Sequence, residues 1–452
     1  MVAMKSSGKR KAAGSSTRRG GDASRAARPR LDAQRWGEWL AAATLVVTPF
    51  VVVPVALDAF RLPQRMVGEW LALASLLALA IGGRRWSLAA VLRSTALVAA
   101  LPFFLVAAAS LTTTTHRAHV ADALVDLAIG VAVLVGWSVA IEPATLRRLL
   151  DATLVPAAAL AGIGILQLHQ VWQPFGVAGS LPGERLTVTS LAGNPGDLAA
   201  FLVLPALVAQ AGLPGSRGWG RWWRLIVLVL CLYALAGTQT LTSLVAIAIG
   251  SVVLWATLLP RRRVLAAAAA TAVVAVLLVA GVRPLREKVS FVWRTVTTGA
   301  GLNEALSGRL DAWRVAVRLL EDRSFAGVGF GAYRAEFGPA KLRLINEGTP
   351  FFAGHVNPSF ASAHDEYLEV GADLGWPGLL ALAWGIAMAV RGAWRARRHL
   401  EPPDVALCWG GLAALALLAF GYFPFRLAPV AFPALAWLAW MFAVDDVEEP
   451  AA

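Results

Sequence analysis

Apolar runs of roughly 17 residues or more recur along nearly the whole of this chain, each long enough to cross a bilayer as a helix. In hydrocarbon a backbone must satisfy its own polar groups, so such runs restrict the chain to a helical bundle. Twelve are read, over residues 38–60, 67–83, 94–111, 120–141, 152–170, 195–213, 225–240, 243–259, 264–282, 371–390, 404–422 and 427–444. Only 15% of the residues are charged, against about a quarter in soluble domains. The expected fold is an all-α polytopic membrane protein with about twelve transmembrane helices. One long polar interval, 283–370, breaks the series and is expected to form a large loop containing short amphipathic helices. Two tails complete the organisation: a basic one over 1–37 and an acidic one over 445–452.

The net charge of +13 would suggest nucleic acid in a soluble protein, but its placement points elsewhere. The first 37 residues hold ten Lys/Arg against two Asp, with no apolar period. That composition is expected to be disordered. It reads as an orientation signal with affinity for anionic membrane lipid, not as a nucleic-acid binder. The first span is too long for a signal peptide and is expected to stay uncleaved. Cys231 and Cys408 both lie inside spans, so neither a disulfide framework nor a thiolate metal site is read from them.

Placing the basic tail in the cytoplasm puts fifteen Lys/Arg in the short loops inside and five in those outside. This bias supports cytoplasmic N- and C-termini and places 283–370 on the periplasmic side. That side lacks ATP and nucleotide sugars, so chemistry there needs a donor already carried across. Ionisable residues gather at span ends: Asp58, Glu69, Asp122, His169, Asp197, Asp373, Asp404 and Arg426, with Asp126 slightly deeper, one turn after Asp122. Nearly charge-free span centres argue against a proton-coupled transporter.

Three basic residues on the outer side carry candidate chemistry. His364, beside Asp365 and Glu366, lies just before the tenth span at headgroup height. Histidine accepts a proton near neutral pH and suits a general base; a structural histidine is the plainer reading. His355, nine residues earlier, looks more like turn chemistry. Arg309 opens an amphipathic helix over about 309–323, with Leu310, Trp313, Val317 and Leu320 sharing one face. Arg309 falls on that apolar side, in a first turn whose N–H groups favour an anion. A snorkelling arginine is the alternative. Arg185 is the only basic residue of the loop 171–194, and Asn194-Pro195 follows it as a helix start.

Three elements now fall in order. They are Gly193-Asn194-Pro195; Ser307-Gly308-Arg309 with Trp313 and Gly327-Val328-Gly329-Phe330-Gly331; and His364-Asp365-Glu366-Tyr367-Leu368 followed by Leu374-Gly375-Trp376-Pro377-Gly378. The series resembles the O-antigen ligase and polymerase family of polytopic bacterial glycosyltransferases, over roughly residues 180–440. The resemblance implies a bacterial inner-membrane enzyme of lipopolysaccharide or surface-polysaccharide biosynthesis. It would move a glycan from undecaprenyl pyrophosphate to lipid A-core or another glycan acceptor, with inversion and without metal or cofactor. His364 would be the general base. Arg309 and Arg185 would neutralise the pyrophosphate, with Asn194, Asp365 and Tyr367 on the substrate. The chain departs from the family's pattern at Thr240-Leu241-Thr242-Ser243-Leu244, where leucine stands for an arginine after the serine, and at Asp365, where asparagine is common. A polysaccharide polymerase is the main alternative. A protein O-oligosaccharyltransferase and a lipid-linked glycan flippase rank behind it.

Overall fold

Proline and composition set where the helices begin and end. The computed structural model describes residues 21–82, 86–173, 188–298, 303, 306, 308–349 and 360–446. The helices are α1 (Gly21–Val47), α2 (Arg61–Gly82), α3 (Leu88–Arg93), α4 (Thr95–Thr113), α5 (Arg117–Ala140), α6 (Pro143–Ala152), α7 (Leu154–Leu168) and α8 (Pro195–Gly212). They continue as α9 (Gly218–Thr238), α10 (Leu241–Leu258), α11 (Arg261–Gly281), α12 (Arg283–Thr298), α13 (Arg309–Asp322), α14 (Tyr333–Asn346), α15 (Glu366–Ala396), α16 (Pro402–Gly421) and α17 (Ala428–Asp446). No strand occurs among the described residues. Among the described residues eleven spans, with α6 and α7 joined as one, are long and apolar enough to cross a membrane. The protein is an all-α polytopic membrane protein.

The first expected span is the exception. The apolar run continues to residue 60, but the helix ends at Val47 and a single 3-10 turn, Thr48–Phe50, follows around Pro49. The chain then returns without helix until Asp58 Oδ1 accepts the backbone N–H groups of Phe60 and Arg61 and opens α2. At its other end α1 starts at Gly21, inside the stretch expected to be disordered. It runs antiparallel to α2, with Gly37 against Leu79 and Thr48 against Gly68.

Helix α8 lies at the centre of the bundle and is buried along nearly its whole length, as a helix apolar on every side should be. Helix α11 is the opposite case, with no buried residue. A second, smaller core stands on the bundle end where α5 and α15 begin. There Val315, Ala316 and Leu319 of α13 pack with Tyr333, Phe337 and Ala340 of α14, together with Val120, Ala363 and Ala372. The buried face of α13 is therefore Ala312, Val315, Ala316 and Leu319, and Val317 is 40% exposed. The face expected from the large apolar residues is offset because alanines allow the close approach. Trp313 turns the other way, onto Phe420 of α16.

Helix α15 is broken where it enters the bundle. Gly375 has φ +65° and ψ −160°, a conformation open almost only to glycine. Pro377 has no N–H to donate back to Asp373, and the N–H of Trp376 turns away to the carbonyl of Ser324 (2.8 Å). The released carbonyls of Ala372 and Asp373 accept from Val328 (3.0 Å) and Gly329 (2.8 Å). The Gly-x-Gly-x-Gly stretch, with φ of +63°, +111° and +77° at its glycines, thus completes the helix it lies against. Gly375→Ala should cost about 1–3 kcal/mol in backbone strain alone, with a further clash against the Ser324 carbonyl. A melting temperature in detergent equal to that of the unaltered protein would contradict this account of the kink.

Candidate functional site

The site is built where α2, α8, α10 and α15 begin and α16 ends. Asn194 caps α8 by accepting the N–H of Gly196 (2.7 Å), and Pro195 follows at the first helical position. This fixes Asp197 in the first turn, 5% exposed. Arg61, the first residue of α2, donates to both its oxygens, Nε to Oδ2 (2.6 Å) and Nη2 to Oδ1 (2.9 Å). The Tyr422 hydroxyl donates to the same carboxylate. Burial, the Asp197 charge and the bond to it push the Tyr422 phenol well above its ordinary range, so it stays a donor. The Phe423 ring stacks on Tyr422, with centroids 4.5 Å apart and planes 14° from parallel.

His364 packs on this aromatic turn. Its ring lies 5.0 Å from Phe423, 6.0 Å from Tyr422 and 6.0 Å from Phe360, centroid to centroid. The backbone is left-handed at His364, with φ +55°. On its N-terminal side Glu369 Oε2 accepts the N–H of Ala363 (2.8 Å). On its C-terminal side Asp365 caps α15 by accepting the N–H of Leu368 (2.9 Å). Arg309 also approaches the turn. Its Nη1 donates to Thr242 Oγ1 (3.3 Å), and a Cβ on Gly421, just before Tyr422, would stand 2.6 Å from the Thr242 methyl. Arg309 and Arg61 both act electrostatically on the Tyr422 hydroxyl.

Beneath lies a layer of buried charge. Arg426 Nη1 bonds Glu369 (2.6 Å), and its Nη2 lies 3.9 Å from Asp373. The Asp373 carboxylate accepts the N–H groups of Gly331 (2.7 Å) and Tyr333 (2.9 Å). Burial alone would lower the Arg426 pKa, but Glu369, Glu366 and Asp373 outweigh it, so the guanidinium is held charged. One arginine therefore ties together the segments before α15, between α13 and α14, and between α16 and α17.

His364 and Arg309 thus both lie beside the Tyr422–Phe423 turn. The remaining expected site residues fare differently. Asn194 and Asp365, expected on substrate, are helix caps. Tyr367, also expected there, gives its hydroxyl to the Ala416 carbonyl (3.0 Å). Arg185 and His355 lie outside the described residues. The first turn of α13 offers less to an anion than expected, because its N–H groups at Arg309, Leu310 and Asp311 go to Leu306, Asn303 and Gly308. Arg61, Tyr422, Phe423 and Glu369 were not singled out from sequence. Asp197 and Arg426 were noticed only as span-end charges.

A polytopic helical bundle with its polar site gathered at one end is the class this geometry defines. Residues 226–383 match the family model described as O-antigen ligase. The resemblance read from the motifs is thereby supported: the stretch from α9 into α15 matches the O-antigen ligase family. No curated protein matches the chain.

The capping role of Asp365 separates from any role on substrate. Asp365→Ala should cost about 1 kcal/mol through the lost cap, read as a lower melting temperature. Asp365→Asn caps equally well. It also removes a carboxylate whose pKa burial raises, against the N–H groups that bind its charged form. It should therefore keep both stability and activity at neutral pH. Loss of activity in the stable Asn variant would restore Asp365 to the chemistry.

Proposed function

We propose that this chain transfers a glycan from undecaprenyl pyrophosphate to a sugar hydroxyl of an acceptor, as an O-antigen ligase of lipopolysaccharide or surface-polysaccharide biosynthesis. The match supports a ligase- or polymerase-type glycosyltransferase family; donor and acceptor are the proposal. The observation that carries it is the convergence of His364 and Arg309 on the Tyr422–Phe423 turn at one bundle end. His364 takes the proton of the acceptor hydroxyl. The acceptor oxygen bonds the anomeric carbon from the face opposite the leaving group, inverting it. The bond from that carbon to the pyrophosphate oxygen breaks, and the lipid pyrophosphate leaves. Arg309 neutralises the charge gathering on that leaving group, an electrostatic role strongest in a site screened from water. The lipid keeps the donor at the membrane surface, where these residues lie.

The Lys/Arg bias of the short loops supports a periplasmic site in the bacterial inner membrane, with both termini cytoplasmic. A phosphatase reporter fused after residue 346 should be active, and one fused after residue 397 silent. The reverse pattern would defeat the donor argument. His364→Ala should insert normally and lose transfer by about 10²-fold or more, with lipid-linked glycan accumulating. Full transfer by that variant would sink the mechanism. Arg309→Lys should also be impaired, because an ammonium lacks the planar fork that grips phosphate. A deletion strain identifies the acceptor: loss of capped lipopolysaccharide marks a ligase, and loss of long polymer marks a polymerase.

A further inference from the structure

Arg61 opens α2 at a span end, yet its surroundings are not those of a simple orientation charge. An arginine that merely orients a span, or snorkels, turns its guanidinium to water or headgroups. Arg61 instead reaches across to α8 and donates two nitrogens to a buried carboxylate. That bidentate grip fixes the plane of the guanidinium. Its carbon lies 5.4 Å from the centroid of the Phe423 ring, the same ring that His364 packs against at 5.0 Å. The side chain is still 43% exposed. Among the described residues Nη1 takes no hydrogen bond, so one edge of the fork remains for a ligand.

We propose that Arg61, oriented by Asp197, is a second anion-binding arginine of this site and contacts the donor's pyrophosphate together with Arg309. The inference rests on the function proposed above and adds a residue to it. Its logic is geometric: Asp197 fixes the plane of the guanidinium, while the Nη1 edge, without a hydrogen bond among the described residues, stands beside the ring that His364 packs on. A pyrophosphate carries several negative oxygens spread over two phosphorus atoms. Two planar forks beside Tyr422 and Phe423 match that shape better than one. Asp197 is a positioning residue here, since it acts through Arg61.

The test is titration of the purified full chain, in nanodiscs, with inorganic pyrophosphate. The unaltered protein should bind it. Arg61→Gln should bind at least tenfold more weakly, but that change also strands the Asp197 charge. The paired variant Arg61→Gln with Asp197→Asn removes both charges and keeps two neutral hydrogen-bonding groups facing each other. It should keep the α2–α8 junction, read as a nearly unchanged melting temperature, and still lose tenfold in affinity. Arg65→Gln, one turn along α2, should stay within twofold. Undiminished binding by the paired variant overturns the assignment of Arg61 and leaves the donor reading intact. An equal loss in the Arg65 variant overturns it too, as general charge attraction. Failure of the unaltered protein to bind pyrophosphate counts against the donor itself, and this inference falls with it.

Discussion

Two carbonyl groups released from a bilayer-crossing helix tie this structure together. In hydrocarbon an unsatisfied backbone carbonyl costs several kcal/mol. The break at Gly375 frees those of Ala372 and Asp373, and the loop between α13 and α14 supplies the N–H groups they need. The return bond from Trp376 to Ser324 closes the exchange. Helices α13 and α14 are therefore part of the bundle's own hydrogen-bond satisfaction, not a cap laid on top. The small core of α13 and α14 is anchored at this joint, and Arg309 at the head of α13 inherits its position from it.

The buried charges extend the same arrangement. A lone buried ion is costly, and an ion pair survives burial only when its remaining bonds are met. Asp197 receives three donors, two from Arg61 and one from Tyr422. Glu369 is shared between Arg426 and the backbone beside His364. Each ion pair thus joins elements far apart in sequence and also touches the aromatic turn or the backbone that carries the histidine.

The spans were legible because hydropathy is a dense signal repeated over many residues. Hydropathy counts side chains and does not see the backbone, so the run to residue 60 concealed the stop at Pro49. The face of α13 was misjudged for a related reason. Large apolar residues mark a face by pattern, whereas Ala312 and Ala316 are buried because their neighbours come close. His364 and Arg309 stood out as residue types suited to chemistry. Arg61 did not, because its partner Asp197 lies 136 positions away, and a basic residue at a helix end has an ordinary topogenic explanation. Asn194 before Pro195 is legible as a cap, whereas the cap made by Asp365 shows only in the position of Leu368.

His364 stands two residues before the first turn of α15, joined to it by the cap at Asp365. It is therefore registered to a membrane helix and not to the loop. The break at Gly375 divides α15, so the part beyond it, Pro377 to Ala396, runs about 30 Å at 1.5 Å per residue, close to a hydrocarbon core of about 30 Å. The shorter part before the break, from Glu366, stands at the end that carries His364. The height of the imidazole above the acyl chains is thus set by how α15 tilts and seats in the bilayer. Membrane thickness becomes a geometric variable of the site, as real as any side chain lining it.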